Sequence, residues 1–176
     1  MTKVFIGVGS NLGSRAVYLE FAKKELLSVA GLEDFRYSQV YETEPLAVEG
    51  GSFLNAVWSF ETSLSPRDLL EKIQKIEINA NRQRNKPNEA RTLDLDILFY
   101  GDQVIREPGM TVPHPRLHER AFVLVPFCDL EPGWEHPELK RTMKEILKGL
   151  NSGKRGTGYV KQIRSALPVD RSTKEK

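Results

Sequence analysis

Residues 53–76 read FLNAVWSFETSLSPRDLLEKIQKI, and the period of their apolar positions changes part-way through. From Phe53 to Thr62 the stretch is dominated by apolar residues, as in a strand. Alternate residues of a strand point to opposite faces, so Phe53, Asn55 and Val57 share one face and Leu54, Ala56 and Trp58 the other. After Ser65 the spacing becomes helical, with Leu69, Leu70, Ile73 and Ile76 on one stripe. Ser65 is a capping residue type. Pro66 fills the first helical position, where its missing N–H costs nothing.

Working outward, a similar alternation recurs on both sides. Val4–Gly9 reads as a strand. Ser14 is placed to cap a helix over Arg15–Ala30, with Leu19, Ala22, Leu26 and Val29 as its stripe and Gly31 as its end. Phe35–Glu42 reads as a strand, and Thr43–Ser52, with Pro45, Gly50 and Gly51, as a loop. Asn79–Glu89 holds no large apolar side chain. Leu93–Tyr100 is a strand, turned by Gly101-Asp102 into Val104-Ile105, before a proline-rich loop over Pro108–Pro115. Short helices are expected over Glu119–Phe127 and Thr142–Leu150. The order β-α-β-β-α-β predicts an α+β, ferredoxin-like sandwich: a mostly antiparallel sheet with both main helices on one face.

The chain has 176 residues, 39% hydrophobic and 28% charged, the size and balance of one globular domain. No apolar run is long enough to cross a bilayer, and the N-terminus has no secretory pattern. The single cysteine, Cys128, excludes an internal disulfide and a thiolate metal cluster. The expected location is cytoplasmic. The formal charge of +2 is uneven: seven Lys/Arg against two acids after residue 150 leave residues 1–150 at −3. Residues 1–150 are therefore read as one domain, not a basic nucleic-acid platform, and 151–176 as a polar basic extension, partly ordered at most.

The chemistry concentrates in Arg91-Thr92-Leu93-Asp94-Leu95-Asp96-Ile97-Leu98. Asp94 and Asp96 share a strand face about 7 Å apart, while Leu93, Leu95, Ile97 and Phe99 are expected on the other. Paired carboxylates repel each other unless a cation relieves them, and Mg²⁺ favours one or two carboxylates plus phosphate oxygens. The competing reading is a solvated polar face on an edge strand. Arg82, Arg84, Lys86 and Arg91 cluster just before the acids, and guanidinium forks grip phosphate. Together they suggest a metal-bound polyphosphate. No phosphate-loop motif occurs, and Gly7, Gly9 and Gly13 are read as a tight strand-to-helix turn. Asn55 offers a donor and an acceptor suited to a nitrogen heterocycle, with Phe53 near enough to cover the ring; on this strand alone, an Asn satisfied by a neighbouring backbone group is the favoured reading. His114, held between Pro113 and Pro115, stands in a stiff loop with Arg116, His118 and Arg120.

Five blocks in order carry a family resemblance: Ile6–Gly13, Tyr41–Pro45, Phe53–Val57, Arg91–Asp96 and Val112–His114. From about Val4 to Pro132 the chain resembles the 6-hydroxymethyl-7,8-dihydropterin pyrophosphokinases of folate biosynthesis. The resemblance implies an enzyme that moves pyrophosphate from ATP to the pterin hydroxymethyl group and releases AMP; a monomer is expected over an oligomer, though the sequence does not fix the oligomeric state. It implies two Mg²⁺ ions on Asp94 and Asp96, and a triphosphate clamp of Arg82 and Arg91 with Arg84 beside them. It further implies ATP contacts from Gln74, Glu77, Ile97, His114 and Arg120. Thr43, Leu46, Phe53, Asn55 and Phe122 would hold the pterin. The stretch Pro87–Ala90 lacks the tryptophan that members can carry there, and Gly109 stands where a basic residue can help hold ATP.

Two other readings remain open on the sequence. A different two-metal nucleotidyl or phosphoryl transferase would use the same acids and arginines on another acceptor. A non-enzymatic ligand- or RNA-binding domain would have no need of the acid pair, and its binding would weaken steeply with salt.

Overall fold

The computed structural model describes residues 1–44, 50–81, 90–152 and 160–163. Along the chain run β1 (Thr2–Ser10), α1 (Arg15–Leu27), β2 (Leu32–Tyr37), β3 (Val40–Thr43) and β4 (Phe53–Thr62). There follow α2 (Pro66–Asn79), β5 (Asp94–Tyr100), β6 (Ile105–Glu107) and β7 (Met110–Val112). A 3-10 turn (Leu117–Glu119), α3 (Ala121–Leu130), α4 (Met143–Ser152) and β8 (Val160–Ile163) complete the described elements.

The main sheet has the order β5-β1-β4-β3-β8, with β2 also pairing β4, and every pair in it is antiparallel. The expected α+β class and antiparallel sheet are present. Helices α1 and α2 share one face: Leu19, Ala22, Leu26, Leu69, Ile73 and Ile76 pack on Val4, Ile6, Leu54, Trp58 and Leu95. The opposite face carries a second core, in which Phe5, Val57, Leu98 and Phe99 meet Leu117, Leu124 and Phe127 near α3, and Met143 and Ile146 of α4. Helix α2 begins as expected: the Ser65 hydroxyl accepts from Asp68 N–H at 3.2 Å. Ser14 makes no side-chain cap, and α1 stops at Leu27 rather than Ala30.

Four further expectations are corrected. The strand expected over Phe35–Glu42 is two strands, β2 and β3, on the same edge of β4. Between them Ser38 Oγ accepts from Val57 N–H at 2.9 Å, so a side chain replaces a ladder carbonyl and the strand bends. In β5, Phe5 and Ile6 pair with Phe99 and Ile97, which leaves Leu98 as an inserted residue. The bulge turns Phe99 away from Leu93, Leu95 and Ile97 and into the second core, and Tyr100 takes its place on the α1/α2 side. The proline-rich stretch folds into the hairpin β6–β7 about the two-residue turn Pro108-Gly109. Gly7 and Gly9 lie inside β1, not in a turn.

Candidate active site

Strand β1 sits between β4 and β5, and its register assembles the site. Gly9 pairs with Asn55 on one side and Asp94 on the other; Gly7 pairs with Val57 and Asp96. Paired residues share a sheet face. Phe53 and Asn55 therefore face the same way as Asp94 and Asp96, across a floor of two glycines. A Cβ on Gly9 would lie 2.9 Å from Asn55 Oδ1, 3.6 Å from Phe53 Cδ1 and 3.9 Å from Asp94 Cβ. Above the floor opens a cavity of about 760 Å³. Thr43, Glu44 and Arg91 stand around it, as do His114, Arg116 and Arg120 near α3. Leu117, Phe122, Val123 and Leu150 add apolar wall.

Each polar group is held by a neighbour. Asn55 Nδ2 donates to Thr43 Oγ1 at 2.6 Å in a buried bond, which leaves Oδ1 above Gly9. Arg91 pairs with Asp94. Arg120 lies 5.6 Å from the centre of the Phe122 ring, a cation–π distance. His114 Nδ1 is 3.2 Å from the Arg116 N–H, and Nε2 is 3.3 Å from an Arg120 nitrogen. Both ring nitrogens face donors, and protonation would leave neither able to accept. Burial, reinforced by the Arg120 charge, pushes the His114 imidazole down to about 4, so it is neutral near pH 7. Burial also lowers Arg120 from its usual value, against the pull of Asp96 and Asp94.

The segments beside the site are tied at their ends. Asn11 Oδ1 accepts from Arg91 N–H at 2.6 Å, and Asn11 N–H donates to the Arg91 carbonyl at 3.0 Å. Asn11 Nδ2 donates to the Gly51 carbonyl at 3.4 Å. Gly50 has φ +113°, and a Cβ there would stand 2.7 Å from Asn11 Nδ2, so this close approach needs glycine. Arg15 donates to the Ser52 carbonyl at 2.7 Å, and Ser52 Oγ donates to Glu42 at 2.6 Å. Gly51 and Ser52, after 45–49, and Arg91, after 82–89, are thus fastened to Asn11 and Arg15 around the start of α1.

Of the residues singled out in the sequence, Thr43, Phe53, Asn55, Arg91, Asp94, Asp96, His114, Arg120 and Phe122 line this one cavity. Gln74, Glu77 and Ile97 do not. Glu77 is buried and accepts from Leu95 N–H at 2.8 Å, on the outer edge of β5, and Ile97 packs in the α1/α2 core. Leu46, Arg82 and Arg84 lie outside the described residues. The sequence reading missed Asn11, Glu44, Glu119 and Leu150. The two glycines two apart in an apolar strand read equally well as a turn, so nothing local marks them as the floor.

The profile of the 7,8-dihydro-6-hydroxymethylpterin-pyrophosphokinase (HPPK) family matches residues 5–132, which include every residue that lines the cavity except Leu150. The chain belongs to the HPPK family. It is 39% identical over 147 residues to the 2-amino-4-hydroxy-6-hydroxymethyldihydropteridine pyrophosphokinase of Aquifex aeolicus, covering 83% of this chain and 91% of that protein. It is 40% identical over 127 residues to the enzyme of the same name from Bacillus subtilis, covering 72% and 76%. Among solved structures, wild-type HPPK-DHPS of Plasmodium falciparum superposes with a TM-score of 0.67 at 15% identity. That match covers 86% of this chain and 45% of the other, so this chain spans under half of that protein and shares its HPPK-type fold.

Proposed function

We propose that the cavity transfers the pyrophosphoryl group of ATP to the hydroxymethyl oxygen of 6-hydroxymethyl-7,8-dihydropterin, giving AMP and the pterin pyrophosphate for folate synthesis. The observation that carries this reading is the placement of an amide–aromatic pocket and a carboxylate pair on one sheet face, separated by two glycines. A flat heterocycle can lie over Gly9 with its polar edge on Asn55 and Thr43 and its ring between Phe53 and Phe122. Its hydroxymethyl arm then reaches toward Asp94 and Asp96.

The donor set suits Mg²⁺. Two carboxylates stand on same-face positions, and no cluster of three or more metal-ligating side chains exists among the described residues. Such a site holds its cation together with substrate phosphates rather than in an all-protein cage. Two bound Mg²⁺ ions would neutralise phosphate charge and polarise the attacking hydroxyl. The protein's own part is positioning and charge stabilisation. Asn55 orients the acceptor. Arg91, with Arg82 and Arg84 assigned to the same clamp, stabilises charge that grows on the AMP leaving group. Arg120 faces the acids from the α3 side, and neutral His114, with Nδ1 accepting from Arg116 N–H, offers its Nε2–H to a phosphate or ribose oxygen. The ATP contacts of Gln74, Glu77 and Ile97 and the pterin contact of Leu46 belong to the same proposal. So does a monomer acting in the cytoplasm; light scattering at about 20 kDa tests the oligomeric state.

Asp94→Ala and Asp96→Ala test the metal assignment. Each is expected to lower turnover by about a thousandfold or more with circular dichroism unchanged. Unchanged turnover of both variants at limiting Mg²⁺ contradicts it.

A further inference from the structure

The family profile stops at residue 132, yet the chain beyond it returns to the cavity twice. Leu150, near the end of α4, lines the cavity and packs against the core that also holds Phe122 and Val123. Strand β8 then pairs with β3 along its whole length, Val40 to Ile163, Tyr41 to Gln162, Glu42 to Lys161 and Thr43 to Val160. Thr43 is the residue that fixes the Asn55 amide.

We infer that this C-terminal segment positions the heterocycle, with Leu150 forming part of its apolar wall and β8 locking Thr43 in register against Asn55. The argument rests on how β3 is anchored. Its beginning is tied to α3, because Asp129 accepts from Gln39 N–H at 3.2 Å and from the Tyr41 hydroxyl at 2.9 Å. Its end is held through Glu42, which accepts from Ser52 Oγ at 2.6 Å and lies 3.9 Å from Arg15 of α1, side-chain contacts that leave the backbone edge of β3 to be paired by another strand. β3 has four residues and pairs with β4 on its other side, so without β8 its outer edge would carry unpaired backbone groups and fray toward Thr43. A frayed Thr43 releases Asn55, whose amide must hold one orientation to read a heterocycle edge. Lys161 and Gln162 are exposed, so at these two positions β8 acts on β3 through its backbone, while Ile163 packs against the first core.

This inference rests on the pterin reading above, and its test separates the two. The dissociation constant of 6-hydroxymethyl-7,8-dihydropterin is measured in the presence of Mg²⁺ and α,β-methylene ATP, whose bridge cannot be cleaved. The dissociation constant of that nucleotide is measured separately. Leu150→Ala, and the double change Lys161→Pro with Gln162→Pro, are each expected to weaken the pterin about tenfold. One of two adjacent prolines must remove a β3-facing N–H. The nucleotide should stay within about twofold, and Leu150→Met should keep pterin affinity close to that of the unaltered protein. Unchanged pterin binding in the folded variants overturns the inference, as does equal loss of both ligands. If the proline pair unfolds, Leu150→Ala decides alone. An unaltered protein that makes no AMP from ATP and the pterin overturns the function itself. Turnover by the unaltered protein with indifferent variants overturns only the role of the C-terminal segment.

Discussion

Gly9 joins the two halves of the site, because its missing side chain is what lets Asn55 and Asp94 face one another across β1. Gly9→Ala places a methyl group 2.9 Å from Asn55 Oδ1, closer than contact distance. The expected outcome is a pterin KM raised about tenfold or more with nucleotide affinity nearly unchanged, read by steady-state kinetics and calorimetry. An unaltered pterin KM contradicts the floor. His114 gives a second prediction. Its imidazole titrates near 6.5 when unfolded and about 4 in the folded protein. Between those values the unfolded chain binds the extra proton, so His114 costs stability progressively as pH falls from about 6.5 to about 4. NMR should find its midpoint near 4, and an ordinary midpoint near 6.5 contradicts the packing of its ring against Arg120 and Arg116. At the residue scale much of the site is legible in the sequence. Asp94, Asp96 and Asn55 stand out because a polar residue in an apolar strand must have a use or a partner. The glycines are not legible as a floor. A glycine inside a strand and one in a turn look alike until the neighbouring strands are paired.

Elements whose signals are local are legible, and those defined by a partner are not. Helix α2 announces itself through Ser65, Pro66 and its apolar stripe, all within one segment. The bulge at Leu98 has no local signal, because the inserted residue exists only relative to β1. The hairpin β6–β7 is hidden by Pro108 and Gly109, which read as loop but form its tight turn, with Gly109 at φ +78°. The break between β2 and β3 likewise comes from a tertiary bond, that of Ser38 Oγ with Val57 N–H. Ser38→Ala strands that buried donor and is expected to cost about 1–3 kcal/mol, measured by urea unfolding. A loss below about 0.5 kcal/mol contradicts the bond's role in shaping this edge.

Across the whole molecule, one sheet separates two cores, and the reaction is assigned to only one of its faces. Helices α1 and α2 pack the far face, while α3, α4 and the glycine floor enclose the cavity. The α+β order and the antiparallel sheet are legible because alternation and capping recur in sequence. The pairing of β8 with β3 is not, since charge and polarity make residues 151–176 look like a solvated extension. The central claim concerns which phosphorus of ATP is attacked. The most direct measurement incubates the protein with Mg²⁺, ATP and 6-hydroxymethyl-7,8-dihydropterin and identifies the nucleotide released. The account predicts AMP, formed only with the pterin present and in equal amount to pterin pyrophosphate. ADP with a pterin monophosphate, or no pterin-dependent nucleotide product from the folded protein, would contradict it.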